Sequence, residues 1–473
     1  MAAISFGTEG WRALLADDYT FANVRRVAAA AAAWFKLQAQ TGPVAVGHDT
    51  RFMGDRFGAA VADELAAAGL EARLCTGPLP TPAVSYYVTA NRLAGGIILT
   101  ASHNAAEYNG FKVKTAVGAS IEQEGAKWIE VEANRLAKPR SHFLPAPRSA
   151  PARFDTREEY LNRVVSLVER EAIAKAKLRV VADLMHGAGI GYFDEALRRV
   201  GCAELSVIRG EPDPTFDWKR PEPIGRYLEP SVPLTRDPSV SVGLATDGDG
   251  DRFGLMADGE YVDIQQAIVL ILYHLLKNRN ERGRVLRSLN VTSMVDRLCE
   301  HFGCGVKETS VGFKNIGPEM ARSEDVILGV EESGGFAMRG HLPDRDGTLA
   351  ALRVCEALAM EGKPVREILA DAYRLIGGRR YFDRLDVEVL PEQRKRLSRR
   401  IPKLRPRRLA GQKVAEASHL DGAKLTRSDG SWLLARVSGT EPLVRVYAEA
   451  WSPADVEALL ADGREVILRA AER

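Results

Sequence analysis

Three carboxylates stand at every second position in Asp247-Gly248-Asp249-Gly250-Asp251-Arg252. Carboxylates so close repel one another, and the intervening glycines favour the tight curvature that brings them together. Folding alone does not call for such a cluster, whereas a divalent cation resolves it, and all-oxygen ligands favour Mg²⁺ or Ca²⁺. Mg²⁺ is the better choice, because three carboxylates leave coordination positions for a phosphate oxygen and water. An EF-hand loop does not fit: Arg252 stands where its sixth position needs glycine, and Asp258 where its twelfth needs glutamate. A solvated acidic loop is the plain alternative.

Three other stretches offer complementary chemistry. Ile97 to Thr100 reads as the end of a buried strand, and it runs into a polar turn that sets Ser102 between Ala101 and His103. Open α/β sheets carry their chemistry there, past the carboxyl end of a strand; alone, Ser102 reads as a turn former or helix cap. Gly329-Val330-Glu331-Glu332-Ser333-Gly334-Gly335 offers two acids and a hydroxyl suited to a polyol. Arg436-Val437-Ser438-Gly439-Thr440-Glu441-Pro442, with Arg445 beyond, offers a guanidinium, hydroxyls and backbone N–H groups for a phosphate.

The elements that must position these residues alternate between strand and helix. The spacing predicts strands at 44–47, 72–75, 178–184, 240–246, 284–289 and 325–329. It predicts helices at 55–68, 78–88, 156–174, 192–200 and from Tyr261 to Lys277, with an alanine-rich helix over 27–35. A Pro/Arg/Ser-rich stretch at 138–153 reads as a linker, and 213–233 as a proline-rich loop. After a strand at 379–389, a basic stretch (394–408) and two strands flanking Ser428-Asp429-Gly430 lead to a last helix. That helix is capped by Ser452 with Pro453 at its first position. The reading is α/β: three successive α/β units and a smaller α+β unit.

At 473 residues the chain exceeds one core. A net charge of +2 points to neither nucleic acid nor a membrane surface. The start lacks a signal-peptide pattern, no run is long enough to span a bilayer, and the five cysteines are scattered. A cytoplasmic location is expected.

Taken in order, Thr100-Ala101-Ser102-His103-Asn104, the Asp247–Arg252 stretch, Glu331-Glu332-Ser333-Gly334 and Arg436–Pro442 resemble the motifs of the α-D-phosphohexomutase superfamily, the phosphoglucomutase/phosphomannomutase enzymes. The resemblance spans Phe6-Gly7-Thr8-Glu9-Gly10-Trp11-Arg12 to the Arg436 loop. It implies four domains around a central cleft, expected at 1–150, 151–256, 257–376 and 377–473, each giving one loop. By that match Ser102 is the phosphorylated serine, and Asp247, Asp249 and Asp251 hold Mg²⁺ together with its phosphate. Arg12, His103, Lys112 and Arg252 line the transfer site. Glu331 and Ser333 grip sugar hydroxyls, Gly312 and Lys314 belong to a loop that senses the sugar's orientation, and Arg436, Ser438, Gly439, Thr440 and Arg445 hold the phosphate that is not transferred.

The reaction implied interconverts hexose 1-phosphate and hexose 6-phosphate through a hexose 1,6-bisphosphate, which also serves as activator. Lys112 and His103 are the candidates to take the hydroxyl proton. Dual glucose/mannose members read Glu-Met-Ser-Gly-His at the sugar loop and glucosamine mutases Glu-Gln-Ser-Gly-His. Here Glu332 replaces Met or Gln and Gly335 replaces His. Glu-Glu-Ser and Gly312-Phe313-Lys314 resemble the glucose type, so glucose is the expected sugar. Mannose, dual or glucosamine specificity are alternatives. A Mg-dependent sugar phosphatase would release inorganic phosphate, and a silent sugar-phosphate binder would show no turnover. A haloacid-dehalogenase phosphatase fits less well, because Asp251 fills a slot that family gives to Thr or Val. The expected partner is a small phosphosugar, with no nucleic acid or membrane, and a monomer or homodimer.

Overall fold

The structure, a computed structural model, describes residues 3–7, 9–38, 42–136, 150–438 and 443–472. Most of the expected linker, together with Gly439 and Thr440, lies outside the described residues.

Three mixed sheets repeat one topology. In the first, Val44–His48, Ala72–Cys75 and Gly95–Leu99 run parallel, and Tyr108–Lys114 turns back antiparallel beside Gly95–Leu99. The second repeats this with Arg179–Asp183, Glu204–Ile208, Val242–Thr246 and the returning Phe253–Ala257. The third does so with Arg284–Ser288, Gly305–Thr309, Val326–Val330 and Phe336–Met338. The spatial order is the same each time: returning strand, third, first, second. Near-continuous apolar runs suit the inner parallel strands, which helices cover on both faces. The first sheet also gains Trp11–Leu14 and, after the linker, Ala152–Phe154.

This repeat places the chemistry. In each of the three sheets the turn between the last parallel strand and its antiparallel partner carries a singled-out motif: Ser102, then Asp247 to Asp251, then Glu331 to Ser333. The fourth sheet is wholly antiparallel and packs on the helix Pro453–Glu472. Its Arg436 loop likewise joins two paired strands, Trp432–Val437 and Leu443–Ala450. The first three units share one continuous apolar core, while the fourth has its own. Buried polar bonds dock it: Lys424 Nζ donates to Glu308 (2.6 Å) and to the Leu289 carbonyl (2.8 Å), and Glu449 accepts from the Ser293 backbone N–H (3.1 Å).

Several expected elements differ. The alanine-rich helix is longer, Phe21–Leu37, and starts at a Thr20 cap that accepts from Asn23 N–H. The 156–174 helix is two, Arg157–Ser166 and Arg170–Ala176, because Glu169 N–H leaves the helical pattern to bond the buried Glu356 carboxylate (2.8 Å). Tyr261 lies in a strand, Glu260–Val262, which hairpins back through Asp258-Gly259; the helix begins at Ile264 under an Asp263 cap. The basic stretch starts inside a helix, Pro391–Arg400. Among the described residues no helix is long and apolar enough to cross a membrane.

Candidate active site

Ser102 sits three residues past the Gly95–Leu99 strand and is fully buried. Its backbone is left-handed, φ +53°, a conformation that costs a non-glycine residue about 1 kcal/mol and persists only where the surroundings impose it. Ser102 N–H donates to the Thr100 hydroxyl (2.8 Å), and Thr100 in turn donates to Asp49 (2.5 Å). Ser102 Oγ then donates to Asp247 Oδ2 at 2.9 Å, with His103 Nδ1 3.4 Å away.

The two loops meet because of glycine. A Cβ on Gly248 would lie 2.6 Å from the Ser102 carbonyl oxygen, so no other residue lets the acidic loop approach. Gly250, at φ +74°, is pressed against Pro80 in the same way. The alternation of Asp with Gly is therefore both a charge pattern and a packing requirement.

Asp247, Asp249 and Asp251 are wholly buried, and one oxygen from each lies within 4.8 Å of the others. Among the described residues, Oδ1 of Asp249 and Oδ1 of Asp251 have no hydrogen-bond partner. Burial, reinforced by Asp249 and Asp251, pushes the Asp247 carboxyl well above its ordinary range. Orphaned carboxylate oxygens, mutual repulsion and the adjacent Ser102 hydroxyl make an all-oxygen set that fits a hard divalent cation. The triad fits a metal site.

Cations surround it. Lys112 Nζ lies 2.7 Å from Asp249 and 2.9 Å from Asp251; burial works against its charge, but these two carboxylates and Glu9 outweigh burial and hold it protonated. Arg252 Nε sits 3.9 Å from Asp247 and 3.8 Å from Asp251. Arg12 donates to the Asn104 side chain (2.8 Å), just beyond Ser102. Burial, then Arg252, Arg12 and Lys112, push His103 well below the usual histidine range, so it is a neutral acceptor at pH 7.

Glu331 joins this cluster through Arg345. Its Oε1 accepts from Gly312 N–H (2.8 Å), and its Oε2 is 3.5 Å from Arg345. Burial raises its carboxyl to about 7. Ser333 shares its turn. The Arg436 loop stands apart on the fourth sheet, and Arg436 Nε donates to Asp421 (2.7 Å), which also accepts from Val311 N–H (3.1 Å), next to Gly312. Lys314 is pulled below its ordinary range by burial and then by Arg436, as two cations sharing one neighbourhood must be. Arg445 pairs with Arg436 across the strands, and the Ser438 carbonyl accepts from Arg394 (2.8 Å).

Sequence reasoning missed Arg345, Glu9 and Arg51. Arg345 donates to both Glu9 (2.6 Å) and Asp251 (2.6 Å), and Arg51 donates into the Ser102 turn. One signal was available: Asp49-Thr50-Arg51 begins just past the carboxyl end of Val44–His48, where site residues gather.

Comparison with known proteins agrees with this geometry. Phosphoglucomutase/phosphomannomutase models match four successive segments: α/β/α domain I at 3–140, domain II at 158–260, domain III at 263–376 and the C-terminal domain at 397–466. A phosphoglucomutase/phosphomannomutase of Thermococcus kodakarensis is 27% identical, covering 94% of each chain. A phosphoglucosamine mutase of Nitrosospira multiformis is 30% identical over 93% of this chain and 89% of its own. A crystal structure from Thermus thermophilus, provisionally described as a phosphomannomutase, superimposes with a TM-score of 0.86 at 36% identity, covering 99% of both chains. With four domain models matched in order, and the serine turn and acidic loop in contact, the chain belongs to the phosphoglucomutase/phosphomannomutase family of phosphohexomutases.

Proposed function

We propose that the protein interconverts α-D-glucose 1-phosphate and glucose 6-phosphate through phospho-Ser102 and glucose 1,6-bisphosphate. The observation that carries this reading is the 2.9 Å contact between Ser102 Oγ and Asp247 inside a buried aspartate triad. A phosphoryl group on that oxygen adjoins the carboxylates Asp247, Asp249 and Asp251, which would hold Mg²⁺. Bound there, the cation would neutralise charge on the transferring group.

The chain's own part is positioning and charge stabilisation, which is most of what phosphoryl transfer asks of a protein. A sugar hydroxyl attacks phosphorus, the bond from phosphorus to Ser102 Oγ breaks, and the hydroxyl proton passes to a nearby base. His103 suits that role better than Lys112, because Lys112 is held protonated between Asp249 and Asp251. Arg12, Lys112 and Arg252 surround the transferred group. Glu331 and Ser333 hold sugar hydroxyls, Gly312 and Lys314 belong to the loop that senses the sugar's orientation, and Arg436, Ser438, Gly439, Thr440 and Arg445 hold the other phosphate. The bisphosphate then turns round and returns its second phosphoryl group to Ser102, so trace bisphosphate primes the enzyme.

Glucose is favoured by Glu331-Glu332-Ser333 together with Gly312-Phe313-Lys314. Mannose and glucosamine phosphates are the second reading, favoured by the names of the relatives above. Turnover on the three sugar 1-phosphates, with trace bisphosphate, tests the choice; higher kcat/KM on mannose or glucosamine 1-phosphate overturns it.

A further inference from the structure

We propose that Arg51 is a positioning residue for phosphoryl transfer: its guanidinium holds the Ser102 turn in the left-handed conformation that aims Oγ at Asp247. This rests on the functional reading above. The Arg51 side chain is fully buried, and it spends its donors on one turn. Nη2 donates to the carbonyls of Ser102 (2.7 Å) and Asn104 (2.6 Å), and Nη1 to those of Ala105 (2.8 Å) and Tyr108 (2.9 Å). Nε donates to Asp49 (3.1 Å). A guanidinium carries five N–H donors in a rigid fork, and all five are used.

The pair Asp49–Arg51 pins Ser102 from both sides. Arg51 takes the Ser102 carbonyl, while Asp49 accepts from the Thr100 hydroxyl, which itself accepts from Ser102 N–H. The Ala105 carbonyl also accepts from Tyr108 N–H (3.1 Å), but the bond to the Ser102 carbonyl is buried, and without Arg51 it would be lost inside the protein. The second unit closes the clamp. Phe216 is buried against the guanidinium, 4.9 Å from ring centre to charge, and Thr50 Oγ1 donates to the His186 carbonyl (2.9 Å). The same unit supplies Asp247, so the clamp fixes the serine relative to the loop it faces. Lysine cannot replace this fork, because its three donors leave a single point.

The test is single-turnover phosphorylation of Ser102 by glucose 1,6-bisphosphate, followed by intact mass. In that step a bond from phosphorus to Oγ forms, its bond to a sugar oxygen breaks, and the Oγ proton goes to that oxygen. The rate constant does not depend on how much of the sample is folded. For Arg51→Lys the rate constant should fall about 100-fold or more, while KM for the hexose phosphate stays within about threefold, since the Arg436 loop is untouched. If Arg51→Lys does not fold, the double variant Asp49→Asn/Arg51→Gln leaves no unpaired buried charge and should show the same loss. A folded variant that phosphorylates at the wild-type rate overturns this inference alone. A wild-type chain that takes up no phosphoryl group overturns the functional reading and this inference with it.

Discussion

Arg345 donates to Asp251 at 2.6 Å from a guanidinium that is simultaneously bonded to Glu9 at 2.6 Å. One buried cation thus ties the third unit to the aspartate triad of the second and to the first strand region of the first. Glu331 lies 3.5 Å from the same group, so the Glu331 turn and the triad share a counter-charge. Breaking such a pair by removing one partner typically costs about 3–5 kcal/mol. Arg345→Met should therefore lower the melting temperature by several degrees and reduce kcat together, as read by thermal unfolding and steady-state kinetics. A variant of unchanged stability and turnover would show that the pair does not organise the site.

The Gly248 contact gives a cleaner separation. A Cβ there meets the Ser102 carbonyl at 2.6 Å and Pro221 at 2.9 Å, and neither is the free end of a flexible chain. Gly248→Ala should push the acidic loop away from Ser102 and cut kcat about 100-fold, the scale of a displacement near 1 Å. Steady-state kinetics on the folded variant, checked by circular dichroism, measure it; kcat within about threefold of wild type would mean that the loops need not touch.

Removing divalent cations addresses the triad. Dialysis against EDTA should abolish turnover by about 10³-fold or more, and Mg²⁺ should restore it. The measurement is a cation titration of the stripped protein, with Ca²⁺ as comparison. Undiminished activity after stripping would mean that Lys112, Arg252 and Arg345 satisfy the carboxylates unaided.

In its proposed role on a sugar hydroxyl, Glu331 would link pH to substrate binding. With its carboxyl raised to about 7, the ionised, hydroxyl-accepting form is lost as pH falls through neutrality. Between pH 8 and pH 6 the ionised share drops from about nine-tenths to about one-tenth, so KM should rise several-fold toward low pH. The substrate phosphate titrates near pH 6 as well, but equally in Glu331→Gln, whose KM should lack the Glu331 component. Identical KM profiles for the two proteins would remove Glu331 from sugar binding.

The four loops could be singled out in the sequence because each is a run of consecutive residues, although Ser102 alone reads as a turn former and gains its proposed role only beside the acidic loop and the Arg436 stretch. Three of them also follow a readable rule of place, the turn after the last parallel strand, whereas the Arg436 loop joins two antiparallel strands. What the sequence hid is whatever depends on distant pairing. Arg345 and Glu9 are 336 positions apart, and neither neighbourhood announces the other. Arg51 becomes meaningful only once the turn at Ser102 is folded over it. The helix break at Glu169 is of the same kind, since a carboxylate 187 residues away captures the N–H that would have continued the helix. By contrast, the hairpin at Asp258-Gly259 carried its signal locally, in a dipeptide whose residues both adopt positive φ.

Ser102 is the proposed carrier of the transferred phosphoryl group. Intact mass of the protein after incubation with glucose 1,6-bisphosphate, and again after phosphatase treatment, tests it directly. The protein should gain the mass of one phosphoryl group, removed by the phosphatase and never acquired by a folded Ser102→Ala variant, which should also lack turnover. Wild-type turnover in Ser102→Ala, or a phosphoryl group that remains on that variant, would contradict it.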